Sequence, residues 1–249
     1  MARSASSALR LLVCFAVVFL AVAGNDSPLY SVCSTSANYT ANGAFDKNLR
    51  KLTSLLAAVA PTAAGFAVSS LGSGVDAYVS GLAMCRGDVS SPECGACLAT
   101  AGVRARELCP HSKQAVLWFD HCMLKYSDAD FFGRVDLDPQ IYIYNVNNVS
   151  SDPARFDAEV AELLGKLRAE AAASSLYFAA GETGIAQAGG DRELHGLAQC
   201  TRDLPRADCD LCLGAIIGQL PSCCAGKRGG RVLSGSCNFR YELYPFLNV

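Results

Sequence analysis

This sequence of 249 residues has few or none of several features, and their scarcity excludes several classes of function. It contains three histidines and one tryptophan, and it has no glycine-rich motif of the kind that cradles phosphate. Its formal net charge is −2, so no basic excess favours a nucleic-acid partner or an anionic membrane surface. Beyond the N-terminal region, no stretch is long and apolar enough to cross a bilayer. We therefore expect no nucleic acid partner and no membrane span.

Cysteine, by contrast, is abundant, with 13 residues in the chain. Five cysteines recur in a second copy with the same spacing, and Gly-Leu-Ala before the motif and a Tyr four residues after its last Cys recur with them. The two sets are Cys85, Cys94, Cys97, Cys109 and Cys122, and Cys200, Cys209, Cys212, Cys224 and Cys237. This agreement indicates a tandem duplication of one cysteine-rich unit.

The duplication predicts two domains, over residues 27–133 and 137–247, each long enough to bury its own core. Leucines recur at helical spacing between Asp46 and Ala60, and the segment from Asp152 repeats this pattern. A second helix carries the Cys-x-x-Cys pair of each unit, and short strands such as Tyr177–Ala179 make up the rest. The predicted fold class is α+β, with an antiparallel sheet of about five strands and two helices on one face in each domain.

The N-terminus predicts a signal peptide over residues 1–23. Arg3 and Arg10 precede the apolar run Leu11–Val22, which small residues follow at the cleavage position. Its removal would take Cys14 with it and leave 12 cysteines, six in each repeat, and it would change the formal charge from −2 to −4. An even cysteine number behind a signal peptide indicates disulfides in a secreted, extracellular protein.

Two sequence motifs within the predicted domains predict N-glycosylation. They are Asn38-Tyr-Thr and Asn148-Val-Ser, and both lie in polar stretches that are typical of surface loops.

The cysteines admit three interpretations. A zinc site would need two Cys-x-x-Cys pairs or added His at ligand spacing, and the three His form no ligand-like cluster in the sequence. Cys94-x-x-Cys97 has the spacing of a redox-active pair. Such pairs usually lie in thioredoxin-like folds, whose order of helices and strands differs from the one predicted here. Structural disulfides are the favoured interpretation, so we expect no metal and no cofactor. Six cysteines per unit allow many connectivities, and spacing does not choose among them.

The pattern Cys-x8-Cys-x2-Cys resembles the plant ginkbilobin-type domain. Gly-Leu-Ala-Gln-Cys200 and the stretch Asn238–Phe246 make the resemblance specific, and it covers nearly all of the mature chain. Two copies behind a signal peptide are similar to a plant cysteine-rich repeat secretory protein. The resemblance implies a protein of the apoplast that is not an enzyme and that acts in plant defence or stress signalling.

The resemblance also implies a disulfide framework. Its pairs are Cys33–Cys109, Cys85–Cys94, Cys97–Cys122, Cys200–Cys209 and Cys212–Cys237. In the second unit, aligning Phe156 with Phe45 puts Tyr144 where Cys33 would be, which leaves Cys224 without that partner and beside an extra Cys223. These two residues either form an adjacent disulfide, Cys223–Cys224, or pair between chains, or stay thiols; we favour the adjacent disulfide.

Relatives of the ginkbilobin type bind mannose through an Asn after the first Cys, an Arg in the fourth strand and a Glu after the motif Tyr. Amide, guanidinium and carboxylate groups suit sugar hydroxyls, which both donate and accept hydrogen bonds. The matched positions are Ser34, Val116 and Ser127 in the first unit, and Asn145, Arg231 and Glu242 in the second. The first unit therefore lacks this chemistry, whereas the second keeps it. Alternatively, Arg231 and Glu242 form a cross-strand ion pair of little energetic weight.

No catalytic constellation is apparent. His111, His121 and His195 have no nucleophile at a motif spacing, the acidic residues Asp120, Asp128 and Asp130 are typical of a solvated loop, and Trp118 fits core packing better than sugar stacking.

Two functions remain, namely an apoplastic recognition protein that binds an extracellular receptor or a microbial protein, and a mannose-binding, antifungal lectin-like protein that uses the second domain. A lectin predicts a polar pocket, whereas an interaction module predicts an exposed apolar patch or a buried face between the units. The sequence makes no prediction of oligomeric state.

Overall fold

A computed structural model describes residues 27–187 and 190–248. The predicted signal peptide lies outside these residues. Two α+β units follow each other along the chain, and each is a five-stranded antiparallel sheet with its helices on one face. The predicted fold class is therefore confirmed.

The first domain has five strands and two α-helices. They are β1 (Tyr30–Cys33), α1 (Ala44–Val59), β2 (Phe66–Leu71), β3 (Val79–Cys85), α2 (Ser91–Leu108), β4 (Ala115–Trp118) and β5 (Cys122–Ser127). A short 3₁₀ turn, Ala60–Thr62, follows α1. The strand order is β1-β4-β5-β3-β2, and every pair is antiparallel.

The second domain repeats this arrangement. Its elements are β6 (Ile141–Tyr144), α3 (Pro153–Ala173), β7 (Phe178–Gln187), β8 (Gly190–Cys200), α4 (Arg206–Ile217), α5 (Leu220–Cys223), β9 (Gly229–Leu233) and β10 (Cys237–Glu242). The strand order, β6-β9-β10-β8-β7, is that of the first domain. The first helix of each domain buries an apolar stripe on the sheet, which begins at Phe45 in α1 and at Phe156 in α3.

Six disulfides are present in the described chain. They are Cys33–Cys109, Cys85–Cys94, Cys97–Cys122, Cys200–Cys209, Cys212–Cys237 and Cys223–Cys224. In each domain, two of them tie the helix that carries the Cys-x-x-Cys pair to the central strand of the sheet and to one interior neighbour of that strand. These bridges hold that helix on one face of the sheet.

Strand pairing explains the missing bridge in the second domain. Tyr144 is paired with Gly230 on β9, just as Cys33 is paired with Ala115 on β4. Tyr144 thus occupies the place of Cys33, and Cys224 bonds to its neighbour Cys223 instead.

The prediction of a short strand at Tyr177–Ala179 was wrong in its extent. β7 and β8 pair continuously from Phe178 opposite Gln199 to Gln187 opposite Gly190. Two glycines and the charged Glu182 interrupt the apolar alternation along β7, so the strand has little signal in the sequence. Main-chain hydrogen bonds between β7 and β8 continue beyond the apolar part of the hairpin, on which α3 packs.

The outer faces of the two sheets pack against each other. We call this contact the inter-sheet face; its buried side chains are Leu82, Met84, Trp118 and Met123 from the first domain and Leu233 from the second. Trp118 is 2 % exposed, and its Nε1 donates a hydrogen bond to the carbonyl of Ser234 at 3.1 Å. The two domains therefore share a buried apolar layer.

Replacing Trp118 with Ala should lower the free energy of unfolding by about 3–5 kcal/mol, because a large cavity would open between the sheets and the carbonyl of Ser234 would lose its donor. Denaturation in guanidinium chloride measures this change. Leu211→Ala is the control, since Leu211 is 64 % exposed and its truncation should change the value by less than about 0.5 kcal/mol. Equal effects of the two variants would contradict this packing.

Candidate functional site at the junction of the domains

A carboxylate of the first domain lies among three guanidinium groups at the junction. Asp120, in the turn between β4 and β5, is 2.9 Å from the guanidinium of Arg231 and 3.4 Å from that of Arg240, both on the second sheet. Arg86 approaches the same carboxylate at 3.7 Å from the first domain. Arg231 and Arg240 are directly opposite each other on β9 and β10, so Asp120 offsets a cross-strand repulsion.

The charges of this junction shift the pKa of Asp120. Burial alone would raise the pKa of this carboxyl, but the guanidiniums of Arg231, Arg240 and Arg86 outweigh burial and hold it below its usual value. Burial and the neighbouring Arg240 lower the pKa of Arg231, which nevertheless stays charged at neutral pH.

Arg86 extends the junction to the end of the described chain. Its guanidinium binds both carboxylate oxygens of Asp88, at 2.6 and 2.9 Å, and donates to the carbonyl of Phe246 at 3.3 Å. The main-chain N–H of Asn248 donates to Asp88 at 2.8 Å. The segment after β10 is therefore bound to the first domain.

The three residues predicted to bind sugar lie on one end of the second sheet. The main-chain N–H of Asn145 bonds the carbonyl of Gly229 at 2.9 Å, Glu242 is opposite Gly229 on β10, and Arg231 is two residues further along β9. Each side chain has a partner within the protein. Arg231 binds Asp120, so the alternative of an Arg231–Glu242 ion pair was wrong in its pairing.

The remaining two side chains are engaged as well. Glu242 accepts a hydrogen bond from Arg240 at 3.2 Å, and the side-chain oxygen of Asn145 accepts from the main-chain N–H of Asn147 at 2.9 Å. The cavity beside Arg231 has a volume of about 40 Å³. It is far smaller than the roughly 300–1,000 Å³ that is usual for a small-molecule site.

The equivalent end of the first sheet is open. Ser34, Val116 and Ser127 line a groove of about 460 Å³, which we call the first-domain groove. Its other lining residues include Val32, Lys125, Phe131, Arg134, Asp136 and Asp138. Lys125 pairs with Asp136 and lies over the ring of Phe131 at 4.6 Å. The sequence analysis did not predict this groove, because one of its walls comes from the segment after β5, between Phe131 and Pro139, which packs back on the sheet.

The acidic residues after β5 stabilise the loop by accepting hydrogen bonds. Asp128 accepts a hydrogen bond from the amide of Gln114 at 2.9 Å, and Asp130 accepts from the main-chain N–H of Phe132 at 3.1 Å. They thus differ from Asp120, which joins the domains.

The expectation that no histidine belongs to a ligand-like cluster was wrong for His195. This residue is buried on β8, with Nδ1 at 3.1 Å from Glu182 and Nε2 at 3.8 Å from Glu193. Glu182 is far from His195 in sequence, and the pairing of β7 with β8 brings the two together.

The two predicted glycosylation sites are structurally equivalent. Asn38 and Asn148 are exposed, and each forms an isolated β-bridge with the loop before the fourth strand of its domain. The middle residue of each motif, Tyr39 or Val149, is buried. Attachment of a glycan at either asparagine stays a prediction.

Among the described helices, none combines the length and apolar character needed to cross a membrane.

Comparison with known families decides the relationship of the chain. The family described as salt stress response/antifungal matches residues 32–129 and 144–244, one copy for each sheet unit. The chain belongs to this family.

Two curated relatives match most of the chain. The antimicrobial ginkbilobin-2-like protein of Castanea crenata is 45% identical over 222 residues, which cover 89% of this chain and 90% of that protein. Cysteine-rich repeat secretory protein 38 of Arabidopsis thaliana is 45% identical over 228 residues, with 90% and 88% covered. The resemblance to cysteine-rich repeat secretory proteins is confirmed, and this chain is a secreted, extracellular protein like them.

A solved structure shares the tandem arrangement. The tandem DUF26 ectodomain of the Arabidopsis thaliana cysteine-rich receptor-like protein PDLP8 superposes with a TM-score of 0.74 at 25% identity, covering 88% of this chain and 100% of that one. The fold is thus that of a family of secretory proteins and receptor-like ectodomains.

The junction should make stability depend on pH through Asp120. Because its pKa is lowered by folding, its stabilising effect is complete above the unfolded-state pKa of about 3.9 and is lost as the pH falls through the lower folded value. The difference in free energy of unfolding between the wild type and Asp120→Asn should therefore narrow below about pH 4.

Chemical denaturation between pH 7 and pH 2 tests this expectation. Asp76→Asn is the matched control, because the side chain of Asp76 is 94% exposed. A difference for Asp120→Asn that stays constant over this range would contradict the assignment.

Proposed function

We propose that this protein is a secreted, non-enzymatic recognition protein that binds an extracellular protein in plant defence or stress signalling. The observation that carries the proposal is the junction, where a buried inter-sheet face and the Asp120 ion cluster join the two domains. A tandem held in this way presents its outer surfaces in a fixed arrangement, which lowers the entropic cost of binding a large partner.

The relatives support this class of function. One of them is named an antimicrobial protein, and the solved tandem is the ectodomain of a cysteine-rich receptor-like protein. Both names fit a surface that recognises a molecule outside the cell. Neither name describes a catalysed reaction, which favours binding over catalysis as the role of the surface.

The first-domain groove is the proposed contact surface. Its apolar wall is formed by Val32, Val116 and Phe131, and its charged rim by Arg134 and Asp138. A volume of about 460 Å³ admits a few side chains of a partner. Apolar anchors inside a charged rim are the usual composition of a protein-binding site.

A charge reversal at the rim, Arg134→Glu, should weaken binding to the cognate partner by at least about tenfold, since Arg134 is exposed beside the groove. The partner would be identified by a screen of the mature protein against plant receptor ectodomains and secreted microbial proteins, with affinities measured by surface plasmon resonance. Lys166→Glu, on the outer face of α3, is the matched control and should bind like the wild type. If the two variants bind equally, the groove is not the contact surface.

Mannose binding by the second domain is the second candidate, favoured by the convergence of Asn145, Arg231 and Glu242 on one end of the sheet. The closed junction opposes it, because Arg231 would have to exchange Asp120 for a sugar. Under the recognition proposal, titration calorimetry of the wild type with mannose and mannan should show no heat.

The lectin alternative makes a different forecast for two variants. Arg231→Ala would abolish the heat of sugar binding, whereas Asp120→Asn would strengthen binding because it weakens the competing ion pair. Heat in the wild type with this pattern would replace the recognition proposal with the lectin.

A further inference from the structure

A cluster of three potential metal ligands lies on the hairpin of β7 and β8. One ring nitrogen of His195 and one carboxylate oxygen each of Glu182 and Glu193 all lie within 4.8 Å of one another. His195 is 5 % exposed, whereas the carboxylates are open to solvent, with side chains 59% and 66% exposed. The cluster thus has one fixed member and two that can move.

Strand geometry explains why the three side chains meet. Glu182 on β7 is directly opposite His195 on β8, and opposite residues of an antiparallel pair point to the same face. Glu193 precedes His195 by two residues, which returns it to that face. Next in the same row is Glu242 on β10, whose carboxylate is held by Arg240. The cluster is therefore formed by the hairpin itself.

The three side chains are close enough to share one small divalent ion. Ligands about 2.0–2.2 Å from a tetrahedral zinc ion are separated by roughly 3.3–3.6 Å, and one ligand atom from each of the three residues lies within 4.8 Å of the others. Without an ion, Nδ1 of His195 is 3.1 Å from Glu182 and Nε2 is 3.8 Å from Glu193. Because an ion binds only one of the two ring nitrogens, one carboxylate would have to move toward that nitrogen. Rotation of the exposed Glu193 side chain would complete the geometry.

The ligand types narrow the choice of ion. Imidazole with two carboxylates is a donor set that suits zinc and neighbouring first-row metals. Calcium and magnesium prefer sites made of oxygen alone. Three protein ligands on an open hairpin leave a fourth position for water or for a donor from another molecule.

We propose that Glu182, Glu193 and His195 form a binding site for a divalent transition-metal ion of the zinc class. The site belongs to the second domain alone. At the equivalent positions of the hairpin of β2 and β3, the first domain has Ser70, Tyr78 and Ser80, with Ser70 opposite Ser80 just as Glu182 is opposite His195. The site is also separate from the first-domain groove, so its test is independent of the recognition proposal.

Isothermal titration of the mature protein with zinc chloride at pH 7 tests the site, together with cobalt(II) absorption as a report of coordination. The wild type should bind one ion per chain. His195→Asn should weaken binding at least about tenfold, since it removes a ligand outright. The chain has two other histidines, so His111→Asn and His121→Asn are matched controls and should bind like the wild type.

Glu193→Gln is a second test variant, because its exposed side chain can be changed without disturbing the core, and it should also weaken binding. If His195→Asn does not fold, this variant alone decides. The proposal would be overturned if the wild type does not bind zinc. It would also be overturned if Glu193→Gln and a folded His195→Asn both bind zinc as tightly as the wild type does.

Discussion

Each sheet has two faces, and the helices and disulfides of its own domain cover only one of them. The other face carries large apolar side chains, such as Met84 and Trp118, which are costly to leave in water. Packing the two sheets against each other removes both faces from water at once. This constraint fixes how the domains are arranged, and it determines which surfaces remain open for binding.

The duplication preserved the framework of this contact while its details diverged. Lys125 in the first domain and Arg240 in the second occupy the same strand position, and each lies over an aromatic ring, at 4.6 and 4.0 Å. Their acidic partners come from different segments. Asp120 pairs with Arg240. The equivalent turn position in the second domain is Gly235, where a Cβ would clash with the carboxylate of Asp136. Glycine at that position leaves room for Asp136, which pairs with Lys125.

The sequence predicted the parts of the fold that depend on local pattern. Cysteine spacing revealed the duplication, and leucine periodicity placed α1 and α3. It did not reveal contacts between segments distant in sequence. Nothing local marks Asp120 as the partner of Arg231, and β7 lacks the alternation that would have shown its pairing with β8. The cluster around His195 was missed for that reason.

The contrast between the two sheet ends bears on function. At one structural position the second domain has Arg231, whose charge attracts Asp120 of the first domain. This ion pair fills the space around Arg231. The first domain has Val116 there, which attracts no charged partner, and the space beside it stays open as a groove. A guanidinium that binds a ligand in a single domain becomes, in a tandem, a group that can bind the neighbouring domain instead. Duplication can thus turn one copy of a binding position into a structural contact and leave the other copy free to acquire a new partner.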